Sequence, residues 1–277
     1  MHGLGNDFVV LDCVSSVINV DKNLVKAIAD RNYGVGCDQV LIIEPPRSPD
    51  SDFAYRIYNQ DGSEVEQCGN GARCFAKHVY DKRLTRKTSI EVDTMRGKIT
   101  LNITKSGAVS VDMGKPDFTP SSLPLAVDAQ QTRYQTEVAG NRVNFWAASM
   151  GNPHAVIMVH DLNDIDVEKT AKGLQSSKLF PKSVNVGFLE IDNESYVHLR
   201  VYERGVGETL ACGTGACAAV VTGIAADYLS SPVTVKLPGG ELNIEWEDMD
   251  ANVIMTGPAS TVFTGHFDWR PNQRSRG

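Results

Sequence analysis

The chain has 277 residues, 42% of them hydrophobic and 22% charged, and a formal net charge of −7. This length and composition predict a large buried core in one or two domains. The acidic balance argues against a nucleic-acid partner. The sequence shows neither a signal peptide nor an apolar run long enough to span a bilayer, so we expect a cytoplasmic protein that does not bind membranes.

The six cysteines are too few for the disulfide framework of a small secreted protein, and a chain of this length does not need one. The sequence contains no Cys-x-x-Cys pair of the kind that holds zinc or performs redox chemistry, so we expect no metal site. Cys13, Cys37, Cys74 and Cys217 are interpreted as small buried hydrophobic side chains.

In chain order, the first half begins with a glycine-rich segment at residues 2–6. Hydrophobic periodicity then predicts two helices and a series of strands. The helices are expected at residues 22–31 and 70–84. The strands are expected at residues 7–13, 39–43, 53–59, 89–94, 98–104 and 109–113.

The second half is predicted to repeat this plan after a boundary segment at residues 115–131, which is rich in Pro, Ser and Asp. Helices are expected at residues 167–177 and 214–228. Strands are expected at 144–149, 155–159, 197–203, 233–237 and 241–246, with one more beginning at Asn185 and a final pair between 253 and 263. The tail, residues 265–277, is expected to fray.

Internal similarity supports this division into halves. When residues 56–72 are laid on residues 200–216, 144 positions further on, seven of seventeen residues match without a gap. The match ends in Cys-Gly-Asn-Gly-Ala at 68–72 and in Cys-Gly-Thr-Gly-Ala at 212–216. A gapless match of this length indicates a duplication.

The helix that follows Cys212 indicates the architecture. Residues 215–226 are apolar or small on every helical face, so this helix should be buried on all sides. Short strands surround it in sequence and should wrap around it. We therefore expect an α+β fold of two pseudo-symmetric halves, each a strongly curved, mainly antiparallel, barrel-like sheet around a central helix. The halves are placed at residues 1–114 with about 258–277, and at 115–257.

The Cys-Gly-x-Gly-Ala segments predict anion-binding sites. Glycines would let the backbone turn so that several amide N–H groups converge where a helix begins. These donors and the helix dipole favour a carboxylate and should also lower the pKa of the neighbouring cysteine. A single such segment could equally be only a tight turn.

Two such segments in matched halves suggest more. Pseudo-symmetry would place Cys68 and Cys212 face to face across a cleft, with a substrate carbon between the two sulfur atoms. One thiolate would remove the α-proton and the opposite thiol would return one, as in a two-base racemase. No lysine-centred pyridoxal motif is evident, so a route without cofactors is expected.

The chain resembles the diaminopimelate epimerase family. The resemblance rests on residues 2–8 (HGLGNDF), 34–39 (GVGCDQ), 68–73 (CGNGAR), 151–154 (GNPH), 185–187 (NVG) and 212–216 (CGTGA), together with Asn59, Glu203 and Arg204, all in the family's order and spacing. It implies interconversion of LL- and meso-diaminopimelate without pyridoxal phosphate, for lysine and peptidoglycan synthesis. It also implies a homodimer. Relatives usually carry a few residues before this opening, so either a short N-terminal truncation or a renumbering is expected.

The resemblance also implies the site. Cys68 and Cys212 correspond to the acid/base pair, and His154 and Glu203 to a supporting pair that orients the α-amino group and tunes the thiols. The backbone amides of four residues would hold the reacting carboxylate: Gly69, Asn70, Gly213 and Thr214. The remaining substrate-binding positions, which include Glu203, are Asn6, Gln39, Asn59, Asn152, Asn185 and Arg204.

Two alternatives remain open. One is a proline-type racemase or another isomerase that shares the two-cysteine plan, although proline has no second amino-acid group for the Asn side chains and Arg204 to bind. The other is a non-catalytic anion-binding or thiol-redox protein. Exchange of solvent deuterium into diaminopimelate separates the enzyme from the latter.

Overall fold

The structure, a computed structural model, describes residues 1–65, 69–138 and 140–269. The chain divides into two compact units. Unit 1 combines Met1–Val111 with the described part of Pro258–Gly277, and unit 2 is the continuous segment Asp112–Gly257. No helix in the described part of the chain is long and apolar enough to cross a membrane.

The described residues of unit 1 form two helices and mixed β-structure. The helices are α1 (Lys22–Ala29) and α2 (Gly69–Asp81). The strands are β1 (His2–Gly3), β2 (Asn6–Asp12), β3 (Gln39–Glu44), β4 (Phe53–Asn59), β5 (Glu64–Val65), β6 (Ser89–Thr94), β7 (Gly97–Ile103) and β8 (Val109–Asp112). Neighbouring strands are antiparallel except for β2 with β3 and β4 with β6, which run parallel.

Unit 2 repeats this arrangement. Its helices are α3 (Val167–Gln175) and α4 (Gly213–Ala225). Its strands are β9 (Tyr134–Val138), β10 (Asn141–Ser149), β11 (Pro153–Val159), β12 (Asn185–Asn193), β13 (Tyr196–Glu203), β14 (Gly207–Thr209), β15 (Val233–Leu237), β16 (Gly240–Glu245) and β17 (Ile254–Gly257). The two parallel pairs, β11 with β12 and β13 with β15, occupy the same places in the order as those of unit 1.

The repetition extends to individual elements. Helices α2 and α4 both have 13 residues and begin 144 positions apart, at Gly69 and Gly213. Each follows a short hairpin, β4–β5 in unit 1 and β13–β14 in unit 2. The predicted α+β fold of two pseudo-symmetric halves with curved, mainly antiparallel sheets is confirmed, and the sheet is curved but unclosed.

Helix α4 is buried along most of its length, as its lack of a polar face predicts. All of its residues from 215 to 223 are buried, and it packs against strands β10 to β13 and β16. Helix α2 is buried from Gly69 to Ala76 and packs against β1, β2, β3 and β7. The helix that carries each Cys-Gly-x-Gly-Ala segment therefore lies inside its unit.

The second face of each sheet is covered by a shorter, capped helix. Asp21 caps α1 by accepting a hydrogen bond from the Leu24 amide at 2.8 Å, and Asp166 caps α3 in the same way. Alternate residues of β3 serve the two faces: Val40 and Ile42 pack against α1, whereas Leu41 lies near α2. Burial on both faces explains the uninterrupted apolar run of this strand.

The structure corrects several expectations. Of the strand pair predicted between residues 253 and 263, only β17 forms. Strands β1, β5, β9 and β14 were not predicted, because runs this short or this polar carry little periodicity. In the boundary segment, Leu123 and Leu125 are buried in the core of unit 2. In the tail, Trp269 does not fray but packs against the α1 cluster, the hydrophobic core formed by Leu24, Val25, Ile28, Ala29, Cys37, Val40, Ile42 and Tyr58. Residues 270–277 lie outside the described residues.

Candidate active site

The matched segments upstream of the cysteines form the same ion pair in both units. Arg56 contacts Glu64 through Nε at 2.7 Å and Nη2 at 2.8 Å. Arg200 contacts Glu208 through Nε at 2.6 Å and Nη2 at 2.9 Å. These two-bond pairs link β4 to β5 and β13 to β14. The matching Arg and Glu of the internal repeat therefore brace the hairpin that leads to each cysteine.

Cys212 is the N-cap residue of α4 and is 5% exposed. Its Sγ lies 3.5 Å from Thr214 Oγ1. Helix α4 has no acidic residue in its first turn, so the positive end of its dipole is not neutralised from within the helix. The start of α4 thus presents a thiol next to backbone amides that suit a carboxylate.

The second glycine of each segment is needed for close packing rather than for a turn. Gly71 and Gly215 lie inside the first turns of α2 and α4. A Cβ at Gly71 would lie 2.8 Å from Ile57 Cδ1, and one at Gly215 would lie 3.1 Å from Val201 Cγ2 and 3.3 Å from Cys212 Sγ. The expectation that these glycines turn the backbone is wrong for this pair; they let the helix approach the strand beneath it.

The surroundings of Cys212 raise the pKa of its thiol, contrary to the lowering expected from the sequence. Burial is the main cause, and the charge of Glu203 and a hydrogen bond to its carboxylate add to it. Hydrogen bonds from the Thr214 side chain and the Gly215 amide lower the pKa, but by less. Desolvation therefore outweighs the helix terminus and favours the protonated thiol at Cys212.

Three further residues are linked to Cys212. His154 Nε2 lies 3.1 Å from Asn152 Oδ1, and Asn152 Nδ2 lies 3.3 Å from Thr214 Oγ1. His154 is 1% exposed. Burial, followed by the positive charge of Arg204, lowers the pKa of the His154 imidazole to about 3. The imidazole is therefore neutral and joins the thiol through two polar side chains.

Glu203, at the end of β13, is held by its neighbour across the hairpin. Its Oε1 accepts a hydrogen bond from Thr209 Oγ1 at 2.7 Å. Because β14 is in turn braced by the Arg200–Glu208 pair, the carboxylate that acts on Cys212 has a fixed position. Thr209 was not predicted as a site residue, and a lone Thr in a short strand gives no signal of this role.

Asn185 and Arg204 form a separate group in unit 2. The Asn185 side chain donates to the carbonyl of Pro153 at 3.0 Å and accepts from the Arg204 amide at 2.9 Å. The Arg204 guanidinium donates to the carbonyl of Lys182 at 3.0 Å. Asn185 thus fastens the start of β11 to the residue after β13, and both of its amide atoms are engaged with the backbone.

In unit 1, Asn6 and Asn70 belong to a chain of polar side chains. Asn6 Nδ2 donates to Asp38 Oδ2 at 3.0 Å, and Asn70 Nδ2 donates to Asn6 Oδ1 at 3.2 Å. Arg73, which is fully buried, donates to Asn70 Oδ1 at 2.8 Å. Arg31 bridges Asp38 to Asp7. Carboxylates accept and guanidinium groups donate, so the two ends of this chain fix the orientation of both amides.

Gln39 and Asn59 form a second pair in unit 1, where they are direct neighbours across β3 and β4. Gln39 Nε2 donates to Asn59 Oδ1 at 3.0 Å, and Asn59 Nδ2 donates to Ser63 Oγ at 3.1 Å. Gln39 Oε1 is buried and has no partner among the described residues. Cys68, together with residues 66 and 67, lies outside the described residues.

The structure therefore brings together the predicted residues within each unit in small groups. In unit 2, Asn152, His154 and Thr214 join Cys212, next to Glu203, whereas Asn185 and Arg204 join each other. Sequence reasoning named neither Asp38 nor Arg73 as a site residue, although both lie inside motifs that carried the family resemblance. No group of three or more His, Cys, Asp or Glu side chains in the described part of the chain is placed to hold a metal ion.

Solved structures share this fold. A hydroxyproline epimerase from Agrobacterium vitis has a TM-score of 0.62 at 15% identity, covering 92% of this chain and 87% of that one. A probable proline racemase from Agrobacterium radiobacter has a TM-score of 0.64 at 16% identity, covering 98% and 92%. Identities this low establish the fold alone.

Sequence comparison specifies the family. The family model for diaminopimelate epimerase matches residues 1–119 and 146–262. A diaminopimelate epimerase from Pseudomonas paraeruginosa is 54% identical over 265 residues, and one from Stutzerimonas stutzeri is 51% identical over the same length; each alignment covers 96% of both chains. The chain belongs to the diaminopimelate epimerase family, which confirms the resemblance noted from its motifs.

Proposed function

We propose that the protein interconverts LL- and meso-2,6-diaminopimelate without a cofactor, in the synthesis of lysine and peptidoglycan precursors. Support comes from the family to which the chain belongs and from relatives more than half identical across nearly its whole length. The observation that carries the chemistry is the buried Cys212 thiol at the start of α4, beside the Glu203 carboxylate.

The proposed mechanism uses two bases. One cysteine, as a thiolate, removes the proton from the α-carbon, and the other, as a thiol, delivers a proton to the opposite side of that carbon. Such a pair requires one protonated and one deprotonated sulfur in each direction of the reaction. Burial of Cys212, which keeps its thiol protonated, is compatible with this requirement. Cys68 is proposed as the second base.

Helix starts are proposed to stabilise the charge that builds up during proton removal. As the α-carbon loses its proton, negative charge spreads onto the adjacent carboxylate. The amides of Gly213 and Thr214 begin a helix without acidic residues in its first turn, and Gly69 and Asn70 hold the same positions in α2. We assign the reacting carboxylate to these amides.

The remaining polar residues are proposed to recognise the substrate's second amino-acid group, which does not react. These residues are Asn6, Gln39, Asn59, Asn152, Asn185 and Arg204, whereas Glu203 is proposed to orient the α-amino group at the reacting carbon. An arginine suits a carboxylate, and neutral amides suit groups that must be oriented without becoming charged. Such a set distinguishes diaminopimelate from proline, which has no second amino-acid group.

Deuterium exchange tests the proposal. In D₂O, wild-type protein should introduce deuterium at the α-carbon of LL-diaminopimelate and form the meso isomer, as measured by mass spectrometry and chiral chromatography. Cys212→Ala and Cys68→Ala should each abolish epimerisation, while proline should acquire no label. Label in proline but not in diaminopimelate would establish the racemase alternative, and label in neither would indicate a non-catalytic protein.

A homodimer in the cytoplasm is also proposed, on the family resemblance alone. Light scattering of the purified protein measures the first property, with a mass of twice 30.1 kDa expected. Fractionation of the source cells measures the second. A mass equal to one chain at micromolar concentration would contradict the dimer without affecting the proposed reaction.

A further inference from the structure

A chain of four side chains leads from a buried imidazole to the sulfur of Cys212. His154 Nε2 is 3.1 Å from Asn152 Oδ1, Asn152 Nδ2 is 3.3 Å from Thr214 Oγ1, and Thr214 Oγ1 is 3.5 Å from Cys212 Sγ. Every member lies in unit 2, and the chain spans the start of β11 and the first turn of α4. The direction in which hydrogen bonds are donated along this chain decides whether the sulfur accepts a hydrogen bond from Thr214.

Two directions fit these positions. In the first, His154 donates from Nε2 to the Asn152 oxygen, the Asn152 amide donates to Thr214, and the Thr214 hydroxyl donates to the sulfur. In the second, the Asn152 amide is rotated, its nitrogen donates to His154 Nε2, and its oxygen accepts from Thr214. The hydroxyl hydrogen is then consumed by Asn152, and Thr214 offers nothing to the sulfur.

The other ring nitrogen of His154 selects between them. His154 Nδ1 is buried and has no hydrogen-bond partner among the described residues. The imidazole is neutral, so it carries one hydrogen. In the second direction that hydrogen must sit on Nδ1, where a buried N–H donor would remain unsatisfied. In the first direction only a lone pair is left there, which costs less than an unsatisfied N–H.

We propose that Thr214 donates its hydroxyl hydrogen to the sulfur of Cys212, and that His154 acts as a positioning residue that sets this direction through Asn152. The inference rests on the proposed function, because it assigns a role within the same site. Thr214 thereby contributes its side chain to the sulfur in addition to the backbone amide assigned to the substrate carboxylate.

The groups that face the sulfur differ in whether they favour or oppose the thiolate. Glu203, on β13, opposes a thiolate through its charge and its hydrogen bond. The Gly215 amide and the Thr214 hydroxyl, on α4, favour a thiolate. On β11, His154 is neutral and acts only through Asn152, while Arg204, after β13, faces His154. Thr214 is thus the side-chain donor that offsets Glu203 among these groups.

The equivalent position in unit 1 carries no such device. In the parallel ladders, Phe8 pairs with Gln39 as His154 pairs with Asn185, so Phe8 occupies the place of the histidine. The Asn6 amide there donates to Asp38 and accepts from Asn70, whereas Asn152 accepts from the histidine and donates to Thr214. The directing histidine is therefore particular to the unit that carries Cys212.

The test is the pH dependence of Cys212 alkylation by iodoacetamide, measured by peptide mass spectrometry without substrate. Thr214→Val should lower the alkylation rate about tenfold below the thiol pKa, with the same rate at high pH, because one hydrogen bond to the thiolate is lost. Thr214→Ser should restore the wild-type profile. His154→Leu should shift it in the same direction as Thr214→Val, and His154→Gln, which keeps a donor for Asn152, should shift it less.

Thr222→Val is the matched control, because Thr222 lies on the same buried helix and its hydroxyl donates to the Ala218 carbonyl at 2.7 Å, away from the sulfur. This variant should alkylate with the wild-type profile. A wild-type profile for Thr214→Val, or equal shifts for Thr214→Val and Thr214→Ser, would overturn the donor assignment. A wild-type profile for His154→Leu would overturn the directing role of the histidine. Since no substrate is present, these outcomes are independent of whether deuterium enters diaminopimelate.

Discussion

At the scale of single residues, the acidity of Cys212 is decided by what surrounds the sulfur. A cysteine at the start of a helix is expected to be acidic when it is exposed. Here the thiol is buried, and a carboxylate is its charged neighbour, so both influences favour the protonated form. The helix dipole and two hydrogen bonds act in the opposite direction but do not prevail.

Glu203→Gln should therefore make Cys212 more acidic. Removing the negative charge lifts one of the two influences that raise the pKa of the thiol, so the pKa falls. The pH profile of Cys212 alkylation should move to lower pH. Epimerisation should slow markedly, because the carboxylate beside the sulfur is lost. Glu241→Gln is the control, since it removes an exposed carboxylate of the same unit that pairs with Tyr196 and Lys236. An unchanged alkylation profile for Glu203→Gln would contradict this account.

His154 should make the protein less stable in mild acid. The pKa of its imidazole is about 3 in the folded protein and near 6.5 in the unfolded chain. Below about pH 6.5 the unfolded chain therefore binds a proton that the folded protein refuses, and the free energy of unfolding decreases as the pH falls. The loss should be on the order of 2 kcal/mol at about pH 5.

Urea denaturation at several pH values measures this effect. His154→Gln should be less stable than the wild type near neutral pH but should lose less stability between about pH 7 and about pH 5. Many carboxylates also titrate at the lower end of this range, so the difference between the two proteins is the quantity to compare. Parallel curves would show that His154 is not buried in its neutral form.

At the scale of elements, α2 and α4 each pack on a strand through a glycine. The atom nearest to a Cβ at Gly71 belongs to Ile57 on β4, and the one nearest at Gly215 belongs to Val201 on β13. Ile57 and Val201 are themselves 144 positions apart. The second glycine of each segment and its aliphatic partner are thus a repeated packing contact.

Gly71→Ala should destabilise the protein by about 1–3 kcal/mol, because the added methyl group overpacks a buried contact at 2.8 Å. Gly215→Ala has a wider nearest contact of 3.1 Å and should cost less stability, but its methyl group would press on the sulfur of Cys212. Thermal unfolding measures the first effect and the epimerase assay the second.

Ile57→Val provides the rescue, because valine lacks the Cδ1 atom that the new methyl group would meet. The double variant Gly71→Ala/Ile57→Val should lose less free energy of unfolding than the sum of the losses in the two single variants. Strict additivity would show that close packing is not the reason for the glycine.

The sequence predicted most helices and strands, because their periodicity is local. It also predicted the repeat and the central helices, since a helix without a polar face has to be buried. It did not predict features that depend on residues distant in the sequence. These are the packing role of Gly71 and Gly215, the burial that raises the pKa of Cys212, and the Asp38–Asn6–Asn70–Arg73 chain. In that chain, residues up to 64 positions apart meet only after folding, so no local pattern predicts it.

At the scale of the whole molecule, unit 1 is assembled from two distant stretches of chain whereas unit 2 is continuous. The returning segment is tied to unit 1 at three places. Arg73 Nε donates to the carbonyl of Pro258 at 3.1 Å, His2 and Ser260 exchange backbone hydrogen bonds of 2.9 Å, and Trp269 packs against the α1 cluster. Unit 1 therefore depends on residues synthesised after unit 2.

Truncation after Gly257 should weaken unit 1 selectively. Arg73 would keep its charge in a buried position but lose a carbonyl acceptor, and the α1 cluster would lose the cover of Trp269. Hydrogen–deuterium exchange should show loss of protection in α1, α2 and β2, with α3 and β12 nearly unchanged. Equal loss in both units would contradict this division, and truncation after residue 263, which keeps the Pro258 and Ser260 contacts, is the graded control.

The doubled strand order has one more consequence, for how this chain diverged. Equivalent positions of the shared framework hold different residues, among them Phe8 and His154, Asn59 and Glu203, and Arg73 and Cys217. Of these, His154 and Glu203 belong to the group of side chains around Cys212. Because the two halves of a duplicated chain can change separately, the side chains around one thiol need not match those around the other, and each thiol can evolve an acidity of its own.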